Sequence, residues 1–106
     1  MGFLDFLLGP DINAGLQRFC EREGAVLLDV RSREEYERGH IPGCIHIPLD
    51  AMERVKTEVP DRASPIYTYC LSGARSASAA EKLKGMGYTE VTSIGGINRY
   101  GGKLER

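Results

Sequence analysis

Apolar positions along this chain come in short runs, each closed by a turn residue. Asp11 stands ahead of Ile12, Leu16, Phe19 and Cys20. That spacing lays one apolar stripe along a helix whose first turn the Asp11 carboxylate can cap. Cys20 is expected to pack on that stripe as an inert small hydrophobe. Gly24 ends the helix. Residues 25–28 then run apolar into Asp29-Val30-Arg31. A run apolar on both alternations suits a strand covered on both faces, as in a parallel sheet.

Ser32-Arg33-Glu34-Glu35 has the form of a capping box and predicts a short helix that stops by Gly39. Ile41-Pro42-Gly43 is a turn, 44–47 a short strand halted by Pro48, and Leu49, Met52 and Val55 share one face of another short helix. Residues 60–65 form a loop, and β-branched and aromatic residues make 66–69 a strand with Cys70 where it ends. A helix follows from about 76 to 86, with Ala77, Ala80, Leu83 and Met86 along its inner side and Gly87 closing it. Residues 91–94 are a last strand before Gly95-Gly96. Strands alternating with helices predict an α/β fold: an open, mainly parallel sheet with helices on both faces.

The 106 residues make one domain, divided into an apolar leader (1–10), the folded domain (11–102) and a tail (103–106), the stretch from Tyr100 onward being loosely held. In the leader, Asp5 interrupts MGFLDFLL, no basic residue precedes it, and Phe6 stands where a myristoylation signal needs Ser or Thr. Phe3, Leu4, Phe6 and Leu7 are expected to fold back onto the domain. Fourteen basic against fifteen acidic residues leave a net charge of −1, which argues against nucleic-acid and membrane-surface partners. Cys20, Cys44 and Cys70 form no CxxC pair, and His40 and His46 have no cysteine cluster beside them. A disulfide framework and a zinc site are therefore disfavoured, and reduced thiols in a cytoplasmic setting fit best.

Cys70 is the candidate for chemistry. Functional groups of open parallel sheets gather beyond the carboxyl ends of the strands. After Cys70, Gly73 can take a positive φ and turn successive N–H groups inward at a helix N-terminus, a cradle that favours a thiolate. At an ordinary pKa of ~8.5 about 3% of a thiol is ionised at pH 7, and lowering it by ~2 units takes ~2.7 kcal/mol. A helix end supplies ~0.3–1 kcal/mol, so direct N–H donors or Arg75 must contribute the rest. The competing reading of Cys70 is a buried, inert thiol. Cys44, after a Pro-Gly turn, is read as packing. Only Leu71, Ser72, Gly73 and Ala74 separate Cys70 from Arg75. That interval is too short to ring a phosphate and suits the outer sulfur of a persulfide.

Leu27-Leu28-Asp29-Val30-Arg31, Glu34-Glu35-Tyr36, Gly39-His40-Ile41-Pro42-Gly43, Cys70-Leu71-Ser72-Gly73-Ala74-Arg75 and Gly95-Gly96, in this order, resemble the rhodanese family and its single-domain sulfurtransferases. The resemblance covers about 11–102. It implies a five-stranded parallel sheet and a cycle in which the Cys70 thiolate takes the sulfane sulfur of thiosulfate or another persulfide donor. The sulfur then passes to cyanide, a small thiol or a protein thiol, with no metal or organic cofactor.

Backbone N–H groups of Leu71, Ser72, Gly73, Ala74 and Arg75 would hold the terminal sulfur. Ser72 and Ser76 would offer hydroxyls, unless Ser76 serves as a helix cap. Arg75 would either bind the anionic donor or pair with Asp29 or Glu35. Asp29 and Arg31 would fix loops, and His40 would steady its turn. Ile97 stands where many members carry an aromatic or other large residue, which alters the pocket wall. The short loops imply a shallow, open site. Two other readings are a noncatalytic rhodanese-like binding module and a thiol redox carrier; the intact Cys70 loop opposes the first and the missing CxxC partner the second.

Overall fold

Parallel pairing between short strands organises residues 9–106, which the computed structural model describes. The leader's first eight residues, and with them the expected docking of Phe3, Leu4, Phe6 and Leu7, lie outside that range. Strand β1 (Val26–Asp29) pairs with β2 (Ile45–His46) on one side and β3 (Ile66–Cys70) on the other, and β3 pairs with β4 (Val91–Gly96). Among the described residues the sheet has four strands, in the order β2-β1-β3-β4, all parallel. Hydrophobic patterning marks these same four segments; the fifth strand was implied by the family resemblance alone.

Helices cover both faces. Helix α1 (Ile12–Glu21) is capped by Asp11, whose carboxylate accepts the Asn13 N–H at 3.0 Å. Helix α2 (Arg33–Arg38) opens with the expected capping box between Ser32 and Glu35. A 3₁₀ segment (Leu49–Arg54) leads into α3 (Val55–Glu58), and α4 (Ala74–Gly85) follows β3. Gly87, at φ +99°, takes the left-handed conformation that closes α4. One core layer gathers Leu28, Ile47, Met52, Val55, Ile66, Cys70, Ala79 and Leu83. The other gathers Ile12, Leu27, Ile41, Tyr67, Tyr69 and Ile94. Leu27 and Leu28 thus face opposite layers, which is why their run shows no polar alternation.

Two helices are rotated from the expected phase. Cys20 is exposed, not packed. Counting from Ile12 at 100° per residue, it lies about 80° round the helix, beyond the arc that Gly15, Phe19, Ile12 and Leu16 span. Gly15 is buried there instead, so close to Ile94 that a Cβ would stand 2.4 Å from the Ile94 Cβ. On α4 the buried residues are Ser76, Ala79, Ala80 and Leu83, while Ala77 is exposed. A buried serine is tolerable only with partners, and those partners lie at the site below.

The chain's end is also tied down: His40 and Glu105 exchange two backbone hydrogen bonds of 2.8 Å, against the expectation of a loose tail. Gly101-Gly102 lack side chains that would predict this, but the bridge needs only backbone.

Candidate active site

Cys70 ends β3, and its side chain turns toward the layer containing α4. Gly73, at φ +112°, sits at the N-cap of α4 and makes the sharp reversal there. A residue with a Cβ is strained at that angle. The reversal brings two amides onto the sulfur. Gly73 N–H donates to Cys70 Sγ at 3.0 Å and Ser76 N–H at 3.3 Å. Ser76 Oγ lies 3.6 Å from Sγ. Burial pushes the Cys70 thiol up, but the Ser76 hydroxyl and the Ser76, Gly73 and Ser72 amides outweigh it and hold the thiol below its ordinary range. Cys44 has no such cradle, and burial raises its thiol.

The loop owes its shape to a neighbouring strand end. A Cβ on Gly96 would stand 2.2 Å from the Leu71 carbonyl oxygen and 2.6 Å from Ser72 Cα. Asn98 N–H donates to that same Leu71 carbonyl at 3.1 Å. Gly95, at φ +107°, lets β4 bend past the loop. The Gly-Gly pair is therefore a seat for residues 71–73.

Arg75 meets Glu35, one of its two expected carboxylate partners, in a bidentate ion pair of 2.6 and 2.9 Å. The Arg75 guanidinium leads burial and the Ser32 contacts in setting the Glu35 carboxyl, held down to about 2. Asp29 and Arg31 form a buried pair with a closest contact of 2.7 Å. Asp29 also accepts the Tyr69 hydroxyl at 2.7 Å, and Arg31 donates to the Gly39 carbonyl at 2.7 Å. The pair thus ties β1, β3 and the turn after α2 together, as loop-fixing residues would. His40 is held in its turn by Nδ1, 3.0 Å from the Tyr36 carbonyl.

Ser76 is not a helix cap. Its hydroxyl donates to the Gly73 carbonyl at 3.0 Å and lies 2.8 Å from Ser93 Oγ. Ser72 is exposed; its amide adds to the lowering of the thiol, and no hydrogen bond joins its hydroxyl to the sulfur. Among the described residues, the amides of Leu71, Ala74 and Arg75 make no hydrogen bond to Sγ. The site also differs from the open one expected: Cys70 is only 1% exposed and belongs to the core layer that holds Ala79 and Leu83. Beside the loop lies a cleft of about 290 Å³ lined by Glu35, Arg38, Leu71, Ile97 and Leu104. Leu104 and Ser93 were missed in the sequence. Leu104 belongs to the bridged tail, and Ser93 becomes legible only when β4 is seen beside α4.

Comparison with known proteins bears on the family and the fold. The model of the rhodanese-like domain matches residues 13–103. Thiosulfate sulfurtransferase PspE of Escherichia coli (strain K12) is 44% identical over 71 residues, 66% of this chain and 68% of PspE. The putative sulfur carrier protein YrkF of Bacillus subtilis (strain 168) is 39% identical over 91% of this chain, which spans only 53% of YrkF. Among solved structures, a rhodanese with anions from E. coli superposes with TM-score 0.72 and 37% identity, covering 77% of this chain and 98% of its own. The Alr3790 protein from Anabaena gives TM-score 0.78 at 27% identity, over 90% of this chain and 89% of its own. No helix of the described residues is long and apolar enough to cross a membrane.

Proposed function

The chain belongs to the rhodanese-like domain family, and from that membership we propose that it is a sulfurtransferase working through a persulfide on Cys70. In the first half-reaction the Cys70 thiolate attacks the outer sulfur of thiosulfate or another persulfide donor. A bond forms between Sγ and that sulfur, the donor's S–S bond breaks, and sulfite or the donor thiolate leaves with the electron pair. In the second, a thiolate or cyanide attacks the terminal sulfur and Cys70 departs as thiolate. No step consumes an oxidant, and none calls on a metal or organic cofactor.

The observation that carries this reading is the pair of amides at 3.0 and 3.3 Å from Sγ. Preorganised donors of this kind stabilise a negative sulfur without reorganising during the reaction. Once Cys70 carries a second sulfur, the remaining amides from Leu71 to Arg75 are available to the terminal atom, with Ser72 and Ser76 beside it.

The acceptor in this reading is a small or protein thiol, met at the cleft bounded by Leu71, Ile97 and Leu104 and not by nucleic acid or membrane. A cytoplasmic setting, where thiols stay reduced, suits three free cysteines. A noncatalytic binding module would have no use for a cradle aimed at the sulfur, and a redox carrier would need a resolving thiol within reach. The test is intact mass after thiosulfate and again after cyanide. The expected result is the gain of one sulfur, lost on cyanide addition, with both changes absent in Cys70→Ser. A sulfur adduct that persists in Cys70→Ala overturns the assignment.

A further inference from the structure

Ser76 has one hydroxyl proton and three neighbours that compete for it. Its oxygen lies 3.6 Å from Cys70 Sγ, 3.0 Å from the Gly73 carbonyl and 2.8 Å from Ser93 Oγ. The backbone of Ser76 has little freedom, since its N–H is bound to Sγ and its carbonyl accepts the Thr68 hydroxyl at 2.9 Å. Ser76 is fully buried, so no water replaces a lost partner. The hydroxyl rotor is the part left to respond to the sulfur's charge.

We propose that Ser93 is a positioning residue for the sulfur site: by donating to Ser76 Oγ, it leaves the Ser76 proton free to turn from the Gly73 carbonyl to Cys70 Sγ when the sulfur becomes negative. With a neutral thiol, the Cys70 S–H donates to Ser76 Oγ while Ser76 donates to Gly73. On ionisation that S–H proton leaves, and Ser76 Oγ loses one of its donors. The Ser93 hydroxyl, partly exposed on β4, keeps that oxygen satisfied and polarises its O–H toward sulfur. Without Ser93, turning toward sulfur leaves Ser76 Oγ with no donor in a buried site.

This role rests on Cys70 acting as a thiolate, as in the sulfur-transfer reading, but it is measured without sulfur transfer. The charged groups around the loop are Arg75 on α4 paired with Glu35 on α2, Arg38 in the cleft beside Leu71, Asp29 and Arg31 at the end of β1, and Asp50 and Lys82 in the cleft beyond Arg75, while Asp11 and Arg18 line the cavity that Ser93 borders. Strand β4 brings no titratable group, so a change at Ser93 alters no charge.

The experiment is the pH dependence of iodoacetamide alkylation at Cys70, followed by peptide mass so that Cys20 and Cys44 are counted separately. In Ser93→Ala the midpoint is expected to rise by ~0.5–1 unit, slowing alkylation at neutral pH about three- to tenfold, and Ser93→Thr restores the parent profile. A Ser93→Ala profile that superposes on the parent overturns the proposal. So does a Ser93→Thr profile displaced as far as that of Ser93→Ala, because the hydroxyl is then not the cause. The thiosulfate mass experiment on the parent is a separate readout: its failure sinks the transfer reading while the alkylation shift still decides the role of Ser93.

Discussion

Arg75 and Glu35 lock together across the gap between α4 and α2, with two N–H groups of one fork on the two carboxylate oxygens of the other at 2.6 and 2.9 Å. The pair joins the loop after Cys70 to the helix opened by Ser32, whose amide and hydroxyl also donate to Glu35. An anionic donor that approached Arg75 would compete with a carboxylate already in place. Glu35→Gln is therefore expected to lower the KM for thiosulfate and Arg75→Ala to raise it. Equal KM values in all three proteins would assign Arg75 to bracing alone.

The same pair sets an acid limb. Glu35 has a folded pKa of about 2 against an ordinary 4.5, so it is depressed by folding. Its contribution to stability is present above the ordinary value and is lost as pH falls from there toward 2. Both side chains are partly exposed, which keeps the contribution to ~0.5–1 kcal/mol. Thermal melts between pH 7 and pH 3 check this: Glu35→Gln should start lower and fall less steeply over that interval.

Cys70 should alkylate with a midpoint below the ~8.5 of an ordinary thiol, since the Ser76 hydroxyl and the loop amides outweigh its burial. Cys70 is buried, so a compact reagent should react faster than a bulky maleimide once each is scaled to its rate with a free thiol. A size-independent ratio would show that burial does not limit access.

Gly96→Ala tests the seat of the loop. The new methyl would meet the Leu71 carbonyl and Ser72 Cα, both backbone, so neither can turn aside cheaply. The expected cost is ~1–3 kcal/mol in urea unfolding, with the Cys70 alkylation midpoint displaced upward because the amides no longer converge. A destabilised protein with an unchanged midpoint would separate the seat from the cradle.

Asp29→Ala should be the most damaging of these changes. It strands a buried Arg31 and removes the acceptor of the Tyr69 hydroxyl. Removing one partner of a buried pair costs ~3–5 kcal/mol, mainly through the charge left behind. Replacing Asp29 and Arg31 together by apolar residues should cost less than Asp29→Ala alone, read from unfolding midpoints. A double variant as unstable as the sum of the singles would contradict this account.

Much of this arrangement follows from the chain read in order. Alternation and apolar runs place the four strands, Ser32 and Glu35 announce the start of α2, and Cys70 falls at a strand's carboxyl end ahead of a glycine able to take a positive φ. These are local properties, governed by side-chain periodicity and backbone sterics within a few residues. The choices that shape the site's chemistry are long-range. Helix α4 turns Ser76 inward because Gly73 and Ser93 satisfy its hydroxyl, and Ser93 is 17 residues away. Arg75 selects Glu35, 40 residues distant, over Asp29, which is already taken by Arg31. The tail bridges to His40 through backbone groups that every residue type possesses. Hydrogen-bond partners and solvent cover are properties of packed surfaces meeting, so they emerge only once the sheet has brought those surfaces together.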